Sequence, residues 1–120
     1  MPGGVITINI PRPPSANALW RAVNGRNIRS QVYRSWLADA GWVVNLQKPG
    51  RIEGPYTMSV TVTRPDKRRR DLSNYLKALE DLLVHLGVIT DDHLAQRITL
   101  AWSDAEPDPG AMVSVTVEAA

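Results

Sequence analysis

The sequence predicts a small α+β domain in which a mixed four-stranded sheet packs against two helices, in the order β-α-β-α-β-β. Two observations lead to this prediction. Segments in which apolar and polar residues alternate are separated by two segments in which apolar residues recur at helical spacing. The length of 120 residues, with 43% apolar residues, suffices for one hydrophobic core. We therefore treat residues 1–120 as a single domain.

The first half of the chain predicts a strand, a loop and a helix. Val5–Ile10 alternates apolar and polar residues and is followed by a proline-rich segment, which favours a strand that ends there. Residues 15–29 are polar and carry arginines around Trp20, so we expect a long exposed basic loop. Ser30 can cap a helix that extends to about Gln47 and has one apolar face.

The second half predicts a strand, a helix and two further strands. Residues 56–63 alternate and are rich in β-branched side chains, and residues 72–86 place leucines on one helical face. Asp71 stands where it can cap this helix, and Gly87 follows its end. Residues 97–102 and 112–118 are the last two predicted strands. Three tryptophans are interpreted as core or interface residues: Trp36, Trp42 and Trp102.

Composition excludes several classes of protein. The absence of cysteine excludes disulfides and thiolate zinc sites and favours a reducing, cytoplasmic location. No apolar run approaches the roughly 20 residues that a membrane span needs, and no motif indicates a small-molecule cofactor. The formal net charge is only +2, so the clustering of charge is more informative than its sum.

The most informative cluster of charge lies between residues 67 and 92. Four consecutive cations precede Asp71, and a paired aspartate, Asp91 and Asp92, follows the second predicted helix. A nuclease needs positive charge to attract a polyanion and carboxylates to hold a hard divalent cation at the phosphate. We therefore predict an Mg²⁺ site formed by Asp71, Asp91 and Asp92. Asp71, Asp92 and Lys77 are the predicted catalytic residues, with Lys77 stabilising charge on the phosphate.

The predicted DNA-binding residues lie in the basic run, on the second helix and in the basic loop: Lys67, Arg68, Arg69, Arg70, Asn74, Arg26 and Trp20. Each candidate also has an ordinary structural interpretation. Asp71 could be only a helix cap, Asp91 and Asp92 only a turn, and Lys77 only a surface lysine. His85 and His93 are not assigned to the site.

Three motifs resemble the RusA-type Holliday junction resolvases over nearly the whole chain. They are PRPPSAN at residues 11–17, YRSW at residues 33–36, and RRRDLSNYLKALEDLL followed by GVITDD. The resemblance implies a RusA-like fold and a homodimeric, Mg²⁺-dependent endonuclease. Such an enzyme would bind branched DNA at four-way junctions and make two symmetric nicks in recombination and repair.

The resemblance also places the family's acidic ligands on Asp71 and Asp92, next to Asp91, and its asparagine and lysine on Asn74 and Lys77. One position departs from the family's D-x-D-N pattern, because Ser73 replaces the second aspartate. A hydroxyl is a weaker ligand for Mg²⁺ than a carboxylate. The alternatives are therefore compensation by Asp91 or Asp81, or a homologue that binds junctions but cuts weakly or not at all. A third alternative is a small dimerising structural protein with incidental charge runs.

Overall fold

The computed structural model describes residues 4–120 and contains a four-stranded sheet, a two-stranded hairpin and two α-helices. The elements in chain order are β1 (Val5–Ile10), β2 (Trp20–Val23), β3 (Arg26–Arg29), α1 (Gln31–Leu46), β4 (Tyr56–Val62), α2 (Leu76–His85), β5 (Ala95–Trp102) and β6 (Val113–Ala119). The larger sheet has the order β1-β6-β4-β5, with β4 and β5 parallel and the other pairs antiparallel. The predicted mixed four-stranded sheet with two helices is confirmed.

The larger sheet separates the core from a polar surface because its side chains alternate between two faces. On one face, residues such as Ile8, Val60 and Val115 are buried with the apolar sides of α1 and α2. The other face carries hydroxyl side chains, among them Thr7 and Thr116, whose oxygens lie 3.3 Å apart. The functional groups described below lie instead along α2 and the segments that pack beside it.

The prediction of a long loop at residues 15–29 is wrong. After a short 3-10 turn at Ala16–Ala18, strands β2 and β3 form an antiparallel hairpin, so the predicted order β-α-β-α-β-β omits two strands. Asn24 and Gly25 form its two-residue turn, with φ values of 51° and 76°. Asn-Gly favours this turn because both positions require positive φ. The hairpin's residues are mostly exposed, as was expected of the loop.

Helix α1 begins and ends close to its predicted bounds. The Ser30 hydroxyl accepts a hydrogen bond from the Tyr33 backbone N–H at 3.0 Å, which confirms the predicted N-cap. Trp36 is buried, and its indole Nε1 donates to the Pro11 carbonyl at 2.9 Å. Trp42 is 69% exposed, so it is not a core residue. Its position at an interface stays a prediction. Trp102 is half-buried against the core.

The segment predicted as one helix over residues 72–86 consists of two parts. A 3-10 turn at Leu72–Tyr75 leads directly into α2, and Gly87 follows the helix with a φ of +75°. Asp71 occupies the N-cap position, but its side chain makes no capping hydrogen bond. The prediction that Asp71 caps the helix is therefore wrong, and its carboxylate is not committed to the backbone there.

The turn after α2 returns the chain to the sheet beside β4. The pairing of Tyr56 with Ala95 begins the parallel ladder of β4 and β5. A 3-10 turn at Asp92–Leu94 immediately precedes β5, so the paired aspartates lie near the start of β4. Within residues 4–120, no helix combines the length and the apolar character that a membrane crossing requires. The cytoplasmic location stays a prediction.

Candidate active site

A cleft of about 510 Å³ lies between the hairpin and α2. Trp20 and Arg29 line it from the hairpin, and Lys77 lines it from α2. Its remaining lining residues are Asp81, Val84, His85, Asp91 and Asp92. We refer to this cleft as the aspartate cleft, because Asp81 of α2 and the paired Asp91 and Asp92 of the later turn all line it. The fold thus brings together Lys77, Asp91, Asp92 and Trp20, all four of which were predicted as site residues.

Lys77 is the cationic centre of the aspartate cleft. Its Nζ lies 3.1 Å from Asp81 Oδ1 and 3.8 Å from Asp92 Oδ2, so the ammonium stands between a carboxylate of α2 and one of the later turn. The hydrogen bond to Asp81 and the nearby negative charges raise the pKa of Lys77. A raised pKa keeps the amine protonated at neutral pH. Lys77 can therefore serve as a fixed positive charge and hydrogen-bond donor.

Tyr33 supports this arrangement from α1. Its hydroxyl donates to Asp81 Oδ2 at 2.8 Å, which leaves the other oxygen of the carboxylate for Lys77. Burial, followed by the hydrogen bond to Asp81, raises the pKa of Tyr33. The hydroxyl therefore remains a donor at neutral pH. Sequence reasoning did not assign Tyr33 to the site, because its apolar spacing along α1 indicated only a core residue.

The two paired aspartates have different surroundings. Asp91 Oδ1 accepts from the His93 backbone N–H at 3.1 Å and lies 3.0 Å from His93 Nδ1. These hydrogen bonds to His93 lower the pKa of Asp91 to about 2. Asp91 thus caps the 3-10 turn that Asp92 begins. Asp92 is the more available of the two, since its only described ion pair is the longer contact with Lys77.

Two further residues near the aspartates were not predicted. Burial, followed by the negative charge of Asp92, raises the pKa of the Glu80 carboxyl. Burial and the charges of Glu80, Asp92 and Asp91 raise the pKa of Tyr56 to about 12. Among the described residues, the buried Tyr56 hydroxyl has no hydrogen-bond partner. The sequence signal that could have identified Glu80 is its position three residues after Lys77 on the same helix.

Asp71 lies in a second cleft of about 380 Å³, which we call the arginine cleft. Its lining residues are Ser15, Arg69, Arg70, Asp71, Asn74 and Tyr75. One cation of the predicted basic run is partly neutralised here, because Arg70 Nη2 lies 2.7 Å from Asp66 Oδ2. That contact lowers the pKa of Asp66 to about 2. Lys67 and Arg69 remain exposed. The backbone N–H of Arg68 donates to Asp66 Oδ1 at 3.0 Å, but its guanidinium lies 3.7 Å from Asp66 and its side chain is 82% exposed.

The predicted metal ligands are divided between these clefts: Asp71 lines one, and Asp91 and Asp92 line the other. Within residues 4–120, no three acidic or imidazole side chains gather closely enough to hold a metal ion. The donor types nevertheless suit Mg²⁺, which commonly takes one or two protein carboxylates together with substrate phosphates and water. The assignment of the three aspartates as metal ligands stays a prediction.

Four of the seven predicted DNA-binding residues line the same two clefts. Trp20 is 44% exposed at the wall of the aspartate cleft, whereas Arg26 is exposed next to the hairpin turn. Arg69, Arg70 and Asn74 line the arginine cleft. Both clefts that border Asp71 and α2 therefore combine cationic side chains with carboxylates. Positive charge beside carboxylates is the arrangement expected of the class of enzymes that cut a phosphodiester backbone.

Comparison with known families agrees with this class. The family described as Endodeoxyribonuclease RusA matches residues 11–117, which is most of the chain. The protein therefore belongs to the RusA family of endodeoxyribonucleases. Both the resemblance and the enzyme class predicted from the sequence are confirmed.

Three relatives illustrate the match, and each is named a crossover junction endodeoxyribonuclease RusA. The protein of Aquifex aeolicus is 32% identical over 82 residues, covering 68% of this chain and 65% of the relative. That of Enterobacteria phage HK97 is 33% identical, covering 69% and 70%. That of Escherichia coli strain K12 is 34% identical, covering 72% of each chain. The chain thus spans about two thirds of the length of the Aquifex relative.

Proposed function

We propose that the protein is a Mg²⁺-dependent, structure-specific endodeoxyribonuclease that resolves four-way DNA junctions in recombination and repair. In this proposal it acts as a homodimer that makes paired symmetric nicks, since a two-fold dimer presents two identical sites to a junction of similar symmetry. The observation that carries the proposal is the family match, together with relatives named crossover junction endodeoxyribonucleases. The charge arrangement of the two clefts supports it.

In the proposed mechanism, Asp92 and Asp71 would hold Mg²⁺, with Asp91 as a neighbouring ligand. When bound, the ion would supply Lewis-acid stabilisation of charge on the phosphate. Lys77 donates a hydrogen bond to a phosphate oxygen, for which its protonated ammonium is suited. Because Lys77 lies within 3.8 Å of Asp92, the positive charge and the carboxylate can act on the same phosphate group.

The basic residues bind and orient the DNA. Arg29 and Trp20 line the aspartate cleft opposite α2, so a strand that enters the cleft passes between them and Lys77. Trp20 can stack on an unpaired base at the branch point, and arginines can contact the phosphates. Lys67, Arg68 and Arg69 extend this cationic surface beside Asp71, and Arg26 extends it towards the tip of the hairpin.

The wild-type protein tests the proposal directly. We expect cleavage of a synthetic four-way junction with Mg²⁺, no cleavage in excess EDTA, and little cleavage of a linear duplex with the same arm sequences. Paired nicking predicts that a supercoiled plasmid with an extruded cruciform is converted to linear product before a nicked circle accumulates. A protein that binds the junction but leaves it intact at every Mg²⁺ concentration contradicts the enzymatic proposal.

A second candidate function is that of a junction-binding homologue with weak or no cleavage, and Ser73 is the observation that favours it. Ser73 is exposed two residues after Asp71, where the family pattern has an aspartate. We expect Ser73→Asp to raise the cleavage rate about tenfold at limiting Mg²⁺, because an added carboxylate strengthens the binding of a hard cation. The measurement is the single-turnover rate across an Mg²⁺ titration.

Ala105→Asp is the matched control, since it adds the same charge in an exposed loop outside both clefts. Activity that arises only in Ser73→Asp establishes the second candidate. A wild type that cuts as fast as Ser73→Asp at low Mg²⁺ contradicts our expectation for Ser73. The structural-protein alternative predicts weak binding that does not respond to salt, whereas phosphate contacts predict a steep loss of affinity as salt rises.

A further inference from the structure

We propose that Tyr33 and Asp81 form a positioning pair that fixes the Lys77 ammonium in the aspartate cleft. The inference rests on the proposed function. It gives a role in that function to Tyr33, to which the sequence assigned none, and it assigns Asp81 to positioning instead of to the metal ligation that the sequence offered as an alternative. Neither residue is proposed to touch the DNA. Both act through Lys77, whose orientation towards Asp92 they determine.

The pair is a continuous chain of hydrogen bonds from α1 to α2. The Tyr33 hydroxyl donates to Asp81 Oδ2 at 2.8 Å, and Asp81 Oδ1 accepts from Lys77 Nζ at 3.1 Å. Each oxygen of the Asp81 carboxylate therefore has one partner, which fixes the rotation of the carboxylate. Hydrogen bonds to a charged acceptor are stronger and more directional than those between neutral groups.

The ring of Tyr33 is itself held in place. It is fully buried, stacks on Trp36 with ring centroids 6.2 Å apart, and meets the edge of Trp20 at 6.1 Å. The guanidinium of Arg29 lies 5.7 Å from its centroid. A tyrosine surrounded in this way has little freedom to move its hydroxyl. The rigid core of the molecule is thus connected to a flexible side chain at the site.

Lys77 needs such a connection. A lysine has a flexible four-carbon stem, and the Lys77 side chain is 55% exposed, so by itself it would sample several orientations. Asp81 is only 21% exposed and is held from the opposite side by Tyr33. An ordinary ion pair between positions i and i+4 of a surface helix has no such buried partner. The buried hydroxyl distinguishes a positioning device from a surface ion pair.

The first test measures junction binding and single-turnover cleavage separately. Tyr33→Phe removes one oxygen from a buried ring, and Asp81→Asn keeps the shape of the side chain while removing its charge. We expect each to lower the cleavage rate at saturating junction about tenfold, the usual effect of losing one hydrogen bond to a charged group. Junction affinity should change less than about twofold.

The Lys77→Met background serves as the matched control. If Tyr33 acts only through Lys77, adding Tyr33→Phe to Lys77→Met lowers the residual rate no further. If Tyr33→Phe lowers the cleavage rate by the same factor in the wild-type and in the Lys77→Met background, its effect is generally structural. That result would overturn the inference. A loss of junction affinity that matches the loss of rate would overturn it as well.

The second test does not require cleavage. The chain has three lysines, Lys48, Lys67 and Lys77, so ¹³Cε labelling of lysine gives three NMR signals. We expect Tyr33→Phe and Asp81→Asn to shift or narrow the Lys77 signal and to leave the other two unchanged. An unaltered Lys77 signal refutes the pair even in an active enzyme. An altered signal in a protein that never cuts supports the pair and shows that the proposed function, instead, has failed.

Discussion

Asp92→Asn is expected to lower the rate of junction cleavage on the order of 10³-fold, the scale observed when charge stabilisation at a reacting group is lost. The Asp92 carboxylate lies within 3.8 Å of the Lys77 ammonium. It is more available to a ligand than the Asp91 carboxylate, which caps the 3-10 turn. Asparagine has nearly the same shape but no charge, so the substitution removes the proposed metal ligand with little effect on packing.

The measurement for Asp92→Asn is the single-turnover rate at saturating junction and saturating Mg²⁺, with junction affinity measured in Ca²⁺ or EDTA. Asp104→Asn is the matched control, because Asp104 is an exposed aspartate of the β5–β6 loop and lines neither cleft. We expect Asp104→Asn to cut at the wild-type rate. Retention of more than about a tenth of the wild-type rate by Asp92→Asn would remove Asp92 from the mechanism.

Asp71→Asn is expected to cause a loss of similar size, on the order of 10³-fold, with junction binding retained. The side chain of Asp71 makes no capping hydrogen bond, so its carboxylate is available although it occupies an N-cap position. It lies in the arginine cleft beside Asn74, where a phosphate attracted by Arg69 would meet it. The substitution should scarcely affect folding, since no capping interaction is lost.

Asp71→Asn also tests whether the two clefts contribute to one reaction. If Asp71 helps to hold Mg²⁺, the residual activity of the variant should require a higher Mg²⁺ concentration than the wild type does. The rates are compared across an Mg²⁺ titration with the same junction. Equal cutting by wild type and Asp71→Asn rules out the proposed role of Asp71 and confines the chemistry to the aspartate cleft.

Much of the fold was predictable because the signals are local. The alternation of apolar and polar residues in Val5–Ile10 predicted the bounds of β1. Ser30 predicted the start of α1, because its capping hydrogen bond joins it to a residue only three positions later. The hairpin was missed because its short, mostly exposed strands do not alternate between apolar and polar residues. Asn24 and Gly25 were interpreted as an interruption, although this dipeptide is the strongest local indication of a two-residue hairpin turn.

The candidate site was predictable in part. Lys77 and the paired aspartates were identified from charge, spacing and resemblance, and the fold brings them into one cleft. Their partners were not predictable, because Tyr33 is separated from Asp81 by 48 residues of sequence. The half-buried Glu80 was missed although its position three residues after Lys77 was a signal, and its burial and the nearby charge of Asp92 identify it in the structure.

The sequence by itself determined the sheet and helices, the position of the acidic and basic segments, and the family, because periodicity, caps and motifs are properties of neighbouring residues. The tertiary structure alone decided that Asp71 lines one cleft while Asp91 and Asp92 line another, and that α1 supplies a hydroxyl to the carboxylate beside Lys77. The physical reason is that hydrogen bonds and charge interactions depend on distances through space. Those distances are fixed only when α1, α2 and the hairpin pack together.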